Sequence, residues 1–509
     1  MNVLIEFGKG AEDFDDEVYT ELLDNLSIEN CIVIYNHKNL IGTRKICKYM
    51  TKGIYRMPLA EGNYHEAVLQ FGEGEPIDNE ILSQMAPYEN EVMTMLLRWS
   101  KRDYTDMWND YCTHIRFWNH ILDTYDIDVF FSPEVVHDGF SYVIYLLCKI
   151  KNIAYLSTEK ISFPDRLYVV ADVNEQLPFF GREYSENLKK YIKNKIDEIS
   201  LRDDIKEMYD FYTGDKDITP HYMKGVFDKI YIKRFRDIKM RVKFILLLLA
   251  NLFSFSINVN EIFLKYSFSS FVFREADTFL SYYETKTGKI DYSKKFIYVP
   301  LHYQPERTTS PLGGMFVDQV LMVKMLSYYL PDNWLIYVKE HPSMKKVNRG
   351  CPRSTHRSKQ YYDELASMKN VVLVSMYENT YNLIDNCQAV AVVTGTAGLE
   401  AVMRNKQCLM FGYGYLQYAP NVITIRNNKD CASAMYKLQH HIVENNLEKK
   451  MKIYFKTLEN YFFVGNILWY DAEDRTNYEQ DRANSKKSIV GAYLKEIKRI
   501  MDDKVLLNK

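Results

Sequence analysis

Several stretches of this 509-residue chain carry side chains able to hold a phosphate or move a proton. The sharpest is the tetrad Lys339-Glu340-His341-Pro342. An apolar run, Trp334–Val338, ends there abruptly, and its β-branched and aromatic content is that of a strand covered on both faces. Pro342 lacks an N–H and biases His341 away from helical angles, so the strand stops at the tetrad. Ligands of open α/β sheets gather outside the carboxyl ends of strands. A Glu and a His at such a corner suit chemistry or ligand binding. Taken alone, the corner is better explained by a histidine that caps a turn, so its neighbours decide.

Three further loops fall at predicted strand ends in the same half of the chain. His302–Gly314 offers Gln304, Glu306, Arg307, Thr308, Thr309 and Ser310. It is long for a connection in a compact domain, which favours a functional loop, and Arg307 has the fork geometry to clamp a phosphate. Thr394-Gly395-Thr396-Ala397-Gly398 puts hydroxyls and small residues where a helix starts. Backbone N–H groups and the helix dipole make an anion site there. Glu400 lies one turn into that helix, within reach of a ribose hydroxyl; an ordinary helix start is the competing reading. Phe411–Tyr415 is the fourth loop. In the N-terminal half, Glu134, His137 and Asp138 follow one strand and Glu159 follows the next, so they are expected to share a cleft wall. Gly8-Lys9-Gly10 follows the first strand, but the full G-x-G-x-x-G is absent. The acidic residues after it suit a helix dipole and repel a phosphate, so it is read as a tight loop lining a cleft.

The elements that must position these residues alternate strand and helix. Strands are predicted at 2–7, 31–35, 53–57, 128–132 and 153–157, then at 295–301, 334–338, 370–374, 389–393, 408–412 and 421–425. Helical spacing covers about 89–124, 140–151, 318–329, 380–386 and 430–443. The short alternation after residue 295 is that of a doubly wound parallel sheet. The expected class is α/β, with two Rossmann-like domains facing a central cleft and a helical connecting segment. Residues 1–175 are expected to form the first Rossmann-like domain, 176–290 a helical linker, 291–450 the second Rossmann-like domain and 451–509 a helical tail that packs back across the domains.

Composition narrows the function. A net charge of −2 gives no global field to recruit nucleic acid. None of the eight cysteines forms a C-x-x-C, so neither a disulfide framework nor a zinc site is expected. Asp126-Ile127-Asp128 matches a metal-binding D-x-D but precedes its strand, the wrong end of the sheet, and is read as a turn. MNVLIEFGKG has no basic region before an apolar one and is not read as a signal peptide. The basic, apolar-interleaved stretch 229–243 leads into FILLLLANLFSFSI, 244–257, which is short for a membrane span. It suits either peripheral contact with the inner face of the cytoplasmic membrane or a buried interdomain helix.

The ordered runs FIYVPLHYQPERTTSPLGG, WLIYVKEHP and VVTGTAGLEA, followed by a strand ending in FG, resemble the capsule polysaccharide biosynthesis proteins, over about residues 295–415. These are bacterial glycosyltransferases of the two-Rossmann-domain, GT-B type, related to capsule Kdo transferases. The resemblance implies a cytoplasmic transferase that adds a sugar to a surface polysaccharide or its lipid-linked acceptor. The second domain would hold the nucleotide-sugar donor, with a CMP-activated acidic sugar such as Kdo leading. It implies no metal and no further cofactor. His341-Pro342 and Thr394/Thr396 also match bacterial sialyltransferase motifs that hold a CMP-sugar. The acidic-acidic-Gly motif of those enzymes has no clean copy; His137-Asp138-Gly139 is one residue off. Such a mechanism implies an acceptor base on the N-terminal domain, Asp138 first, with Glu134 and His137 as rivals. A CDP-polyol phosphotransferase of the teichoic-acid type, using His137 and His341, and a catalytically inactive scaffold are the alternatives.

Overall fold

The computed structural model describes residues 1–214 and 279–507, apart from 11, 39–40, 61, 99–102, 305–307, 346–356, 443 and 468–476. The 229–257 segment, Glu306, Arg307 and most of the basic stretch 345–360 therefore lie outside the described residues.

Apolar runs become buried strands. In chain order these are β1 (Asn2–Glu6), β2 (Asn30–Tyr35), β3 (Lys52–Tyr55), β4 (Val129–Ser132), β5 (Ala154–Lys160) and β6 (Arg166–Val170). Then come β7 (Phe296–Pro300), β8 (Leu335–Lys339), β9 (Val371–Val374), β10 (Ala389–Val392), β11 (Gln407–Met410), β12 (Val422–Thr424) and the short β13 (Phe463–Val464). They form two sheets, ordered β13-β6-β5-β4-β1-β2-β3 and β12-β11-β10-β7-β8-β9. The second is parallel throughout, and the first is parallel from β5 to β3. Residues of one strand alternate between the two faces: Val3 and Ile5 enter one apolar core and Leu4 the other. Helices cover both faces, so the strands read as nearly continuous apolar runs. These are two Rossmann-like domains, the GT-B type of architecture.

Each sheet reverses strand order once, between β1 and β4 in the first and between β7 and β10 in the second. The loops after β1 and β4 carry Lys9 and Asp138, and those after β7 and β10 carry His302 and Thr394. Both sets therefore flank a topological switch point, where open α/β sheets take their ligands.

Two features depart from the expected elements, and a third gives the expected helical tail its partner. The helical region 89–124 is two helices, Glu89–Leu97 and Tyr104–Thr124; the side chain of Asp103 accepts from Asp106 N–H at 2.9 Å and starts the second. The strand expected at 153–157 runs on to Lys160, because Ser157–Lys160 pair antiparallel with Leu167–Val170. Glu159 thus lies in a ladder opposite Tyr168 and not in a polar loop. Finally, the chain after residue 446 goes back to the first domain. Helix Leu447–Leu458 packs on helix Phe180–Tyr191, β13 pairs with β6, and helix Tyr478–Leu507 lies along helix Glu12–Asp24.

Tyr493 anchors that last helix. It is 1% exposed, packs its ring against Tyr19 and Phe131, and donates its hydroxyl to Ser132 O at 3.2 Å. The contact sits directly beneath the loop that carries Glu134–Asp138. Tyr493→Ala is expected to lower stability by about 3–5 kcal/mol through the cavity it leaves, and Tyr493→Phe by about 1 kcal/mol through the lost hydrogen bond. Urea unfolding of the two variants beside the parent checks both values.

Candidate active site between the two sheets

The tetrad after β8 divides its labour between the interior and the cleft. Lys339 is buried. Its Nζ donates to Glu378 O at 2.6 Å and to Thr380 Oγ1 at 2.8 Å, tying the strand end to the start of helix Thr380–Asn386. Burial pushes its pKa down to about 8. Glu340 has no exposed surface. Its carboxylate accepts from Arg357 Nε at 2.6 Å and Nη2 at 3.2 Å, from Tyr362 OH at 2.8 Å and from the His341 N–H at 2.7 Å. Neither side chain faces a ligand as the sequence led one to expect: both are consumed inside the domain, because a charge at a strand end is stable in the interior only when fully paired. Arg357 also donates to His302 O at 2.9 Å, so one ion pair fixes the loops after β7 and β8 together.

With Glu340 turned inward and Pro342 opening the short helical turn Pro342–Lys345, His341 is left at the edge, partly exposed. The Ser343 N–H donates to His341 Nδ1 at 3.1 Å. That nitrogen is therefore an acceptor, and the neutral ring carries its proton on Nε2. Burial, with Arg357 and Lys339 adding to it against Glu340, pushes the pKa of His341 down to about 4. At neutral pH the ring is uncharged and offers one N–H.

His302, after β7, is buried, and burial, with His341 and Arg357, pushes it down to about 3. Its Nε2 accepts from the Thr394 N–H at 3.3 Å, and its own N–H donates to Gln319 Oε1 at 2.7 Å. A Cβ on Gly395 would lie 3.1 Å from the His302 ring, which is why that position takes glycine. Gly398 is small for another reason: a Cβ would meet Cys408 Sγ at 2.8 Å, so it serves helix-on-sheet packing. Thr394, Gly395, Thr396 and Glu400 stay partly exposed, and the Thr396 side chain makes no cap to helix Ala397–Met403. Gln304 is buried and donates to Thr309 Oγ1 at 2.5 Å, bracing its loop from within, whereas Thr308 is partly exposed. The Tyr413 N–H donates to Leu312 O at 2.7 Å, and Arg426 holds the carbonyls of Phe411 and Gly412 at 2.9 Å each. All four loops of this half thus meet at one edge.

Across from them, Asp138 opens helix Gly139–Ile150. Its Oδ2 accepts from Arg56 Nη2 at 2.6 Å and lies 3.0 Å from Lys9 Nζ. Burial by itself would raise this carboxyl; Arg56, with His137 and Lys9, overrides it and holds it well below the usual carboxylate range. Such pairing makes a carboxylate a weak proton acceptor and suits Asp138 to holding charge in place. Arg56 further pairs with Glu6 at 2.9 Å and donates to Phe7 O at 2.9 Å. Burial lifts Asp15 to about 7, although it accepts the Gly8 N–H at 2.7 Å. His137 is the better acceptor. Its Nδ1 lies 3.0 Å from Val135 O, and since a carbonyl only accepts, Nδ1 carries the proton and Nε2 presents a lone pair. Burial lowers its pKa, leaving it neutral. Glu134 Oε1 stands 3.8 Å from Nε2, placed to stabilise the imidazolium formed when a proton arrives.

His302, Arg357, Arg56 and Arg98 were not singled out by sequence. Only His302 left a signal, as a histidine directly after a strand; the arginines reach the site across long separations and have no local pattern. Among the described residues no group of three His, Cys, Asp or Glu is arranged to hold a metal ion, and no helix is long and apolar enough to cross a membrane.

Between about pH 6.5 and 4 an unfolded chain protonates histidines that the fold keeps neutral, so stability is lost as pH falls through that window. Asp15 and Glu6, both raised, act with the opposite sign. The difference between parent and His302→Gln isolates one histidine. Urea unfolding from about pH 6.5 to 5 is expected to fall less steeply in the variant, by up to about 1.4 kcal/mol per pH unit.

No curated protein matches the chain. Among solved structures, the beta Kdo 2,7 transferase of Thermosulfurimonas dismutans KpsC is 10% identical, covering 79% of this chain and 96% of that one, with a TM-score of 0.29. A glycosyltransferase from Rickettsia africae is 12% identical over 95% and 99% of the two chains, TM-score 0.25. The UDP-GlcNAc 2-epimerase of Neisseria meningitidis is 12% identical over 97% and 100%, TM-score 0.20. Residues 308–464 match the sequence model described as capsule polysaccharide biosynthesis protein. That stretch holds the His341 corner and the Thr394–Glu400 loop, and over it the chain is similar to the capsule polysaccharide biosynthesis proteins.

Proposed function

We propose that the protein is a glycosyltransferase of capsule polysaccharide synthesis, moving a sugar from a nucleotide-sugar donor to a growing surface polysaccharide or its lipid-linked acceptor. The observation that carries this reading is the state of His341: a neutral imidazole whose Nε2–H is left for a ligand at the end of β8, beside the β7–β10 switch point of the second sheet. The donor phosphate would accept that N–H and lie against the partly exposed Thr394–Thr396 backbone, with Thr308 and Glu400 at its flanks. Arg307 belongs to the same loop by sequence. A CMP-activated acidic sugar such as Kdo is the leading donor.

In the transfer step the acceptor hydroxyl gives its proton to His137 Nε2, and its oxygen forms the new bond to the anomeric carbon. The bond from that carbon to the phosphate oxygen breaks, and its electron pair leaves with the nucleotide. His341 Nε2–H meets the charge that grows on the leaving phosphate. Glu134 meets the charge that grows on His137. Asp138, with Arg56 and Lys9, would orient the acceptor hydroxyls. One observation favours a second reading: His137 and His341 are both neutral and stand in separate domains, which also suits a CDP-polyol phosphotransferase. Contact of the 229–257 segment with anionic lipid remains part of the proposal for the acceptor side.

His341→Ala is expected to weaken CMP binding about tenfold or more, the value of a hydrogen bond to a charged group, with thermal stability kept. His137→Gln is expected to bind CMP as the parent does and to lose ~100-fold or more in turnover. Hydrolysis of CMP-Kdo, CMP-sialic acid and CDP-glycerol by the parent separates the donors. Equal CMP affinity in parent and His341→Ala removes the donor-site assignment, and a chain whose melting temperature no nucleotide shifts is a scaffold.

A further inference from the structure

We propose that Arg98 is a positioning residue that locks the acceptor-side loop to the donor-side loop. Its buried guanidinium gives one amino group to each domain: Nη1 donates to His137 O at 3.2 Å and Nη2 to Ser310 O at 2.9 Å. His137 O belongs to the loop after β4, and Ser310 O to the loop after β7, more than two hundred residues away. A planar fork with fixed donor directions sets the distance between its two acceptors, which a flexible ammonium does not.

The helix that presents Arg98 is itself a spacer. Glu89–Leu97 lies between the domains. Glu91 accepts from Tyr142 OH of the helix that begins at Gly139, while its Oε1 stands 3.4 Å from the Cβ position of Gly314. Leu96 packs so closely on the start of the Gly139 helix that a Cβ there would lie 2.6 Å from Leu96 Cδ2. Both ends of this short helix therefore lie on the acceptor-side helix, and its Glu91 end also lies beside Gly314 of the donor loop. Arg98 completes the wedge at the point nearest His137.

The guanidinium does a second thing. Its charge stands beside the His137 ring and, after burial, helps with Arg56 to keep that ring neutral, against Asp138; Glu134 faces the same ring at 3.8 Å. Removing Arg98 should therefore both loosen the geometry and make His137 easier to protonate. This part rests on His137 being the proton acceptor; the bridge between the loops does not.

Two readouts keep these apart, in the full chain with Arg98→Ala and Arg98→Lys. Amide hydrogen exchange needs no substrate: segments 133–139 and 308–314 are expected to exchange faster together in both variants, with the central strands β1 and β7 unchanged. Turnover of CMP-Kdo is expected to fall ~100-fold, as for a misplacement of about 1 Å, at near-parental CMP affinity. The acidic limb of the pH–rate profile is expected to move to higher pH in Arg98→Ala and to stay in Arg98→Lys, which keeps the charge. Parental exchange in both loops, or faster exchange in only one, overturns the proposal. If Arg98→Ala fails to fold, Arg98→Lys decides by the same exchange criterion. Parental turnover in His137→Gln would remove the base assignment and leave the exchange result to judge Arg98.

Discussion

A carboxylate with no exposed surface holds the second domain's half of the candidate site together. Glu340 meets Arg357 through both oxygens, and it takes the Tyr362 hydroxyl and the His341 N–H besides. Arg357 is equally buried and carries the loop of His302 on its far side. An isolated charge there would cost several kcal/mol of desolvation. The pair is stable only as a complete set of hydrogen bonds, and a complete set leaves the backbone at the β8 corner one direction to take. With Glu340 committed inward, the next residue emerges at the sheet's edge. The exposure of His341 is in this sense a consequence of the burial of its neighbour.

The acceptor half is built on the same logic with the sign reversed. Arg56 is the buried charge, and Glu6, Asp138 and the Phe7 carbonyl surround it. Asp138 is so well paired that it has little basicity left, while His137 beside it is neutral and presents a lone pair. In the proposed mechanism, electrostatic order and proton transfer fall to different residues of one loop. Each half uses a buried ion pair as scaffold and sets a neutral imidazole beside it. Neutral imidazoles need no counter-ion when the cleft is empty, which suits groups that must be exposed and still ready.

Much of the architecture was legible in the residues. Strands buried on both faces have no polar face, so runs such as Val371–Val374 and Ala389–Val392 declare themselves by composition and length. Helix Thr380–Asn386 was read at its observed bounds. What escaped were elements whose reason lies elsewhere in the chain. β13 exists because β6 offers an edge, and β5 continues to Lys160 because β6 pairs with it. The return of helix Tyr478–Leu507 to helix Glu12–Asp24 depends on ion pairs such as Arg482–Glu17 and on Tyr493 finding Tyr19, none of which has a spacing to read.

By itself the sequence determined where the corners fall. Strand ends marked by Pro342, by the glycines of 394–398 and by the turn before Gly139 are set by local backbone preference, and a parallel sheet puts all such corners at one edge. Which side chain at each corner faces the cleft was decided only by tertiary structure. Glu340 and His341, or His137 and Asp138, are adjacent and polar, and nothing local separates the one that binds inward from the one left for substrate. The choice falls to Arg357, Arg56 and Arg98, charges delivered from distant positions, because a buried guanidinium must be satisfied and takes the acceptors that lie nearest to it.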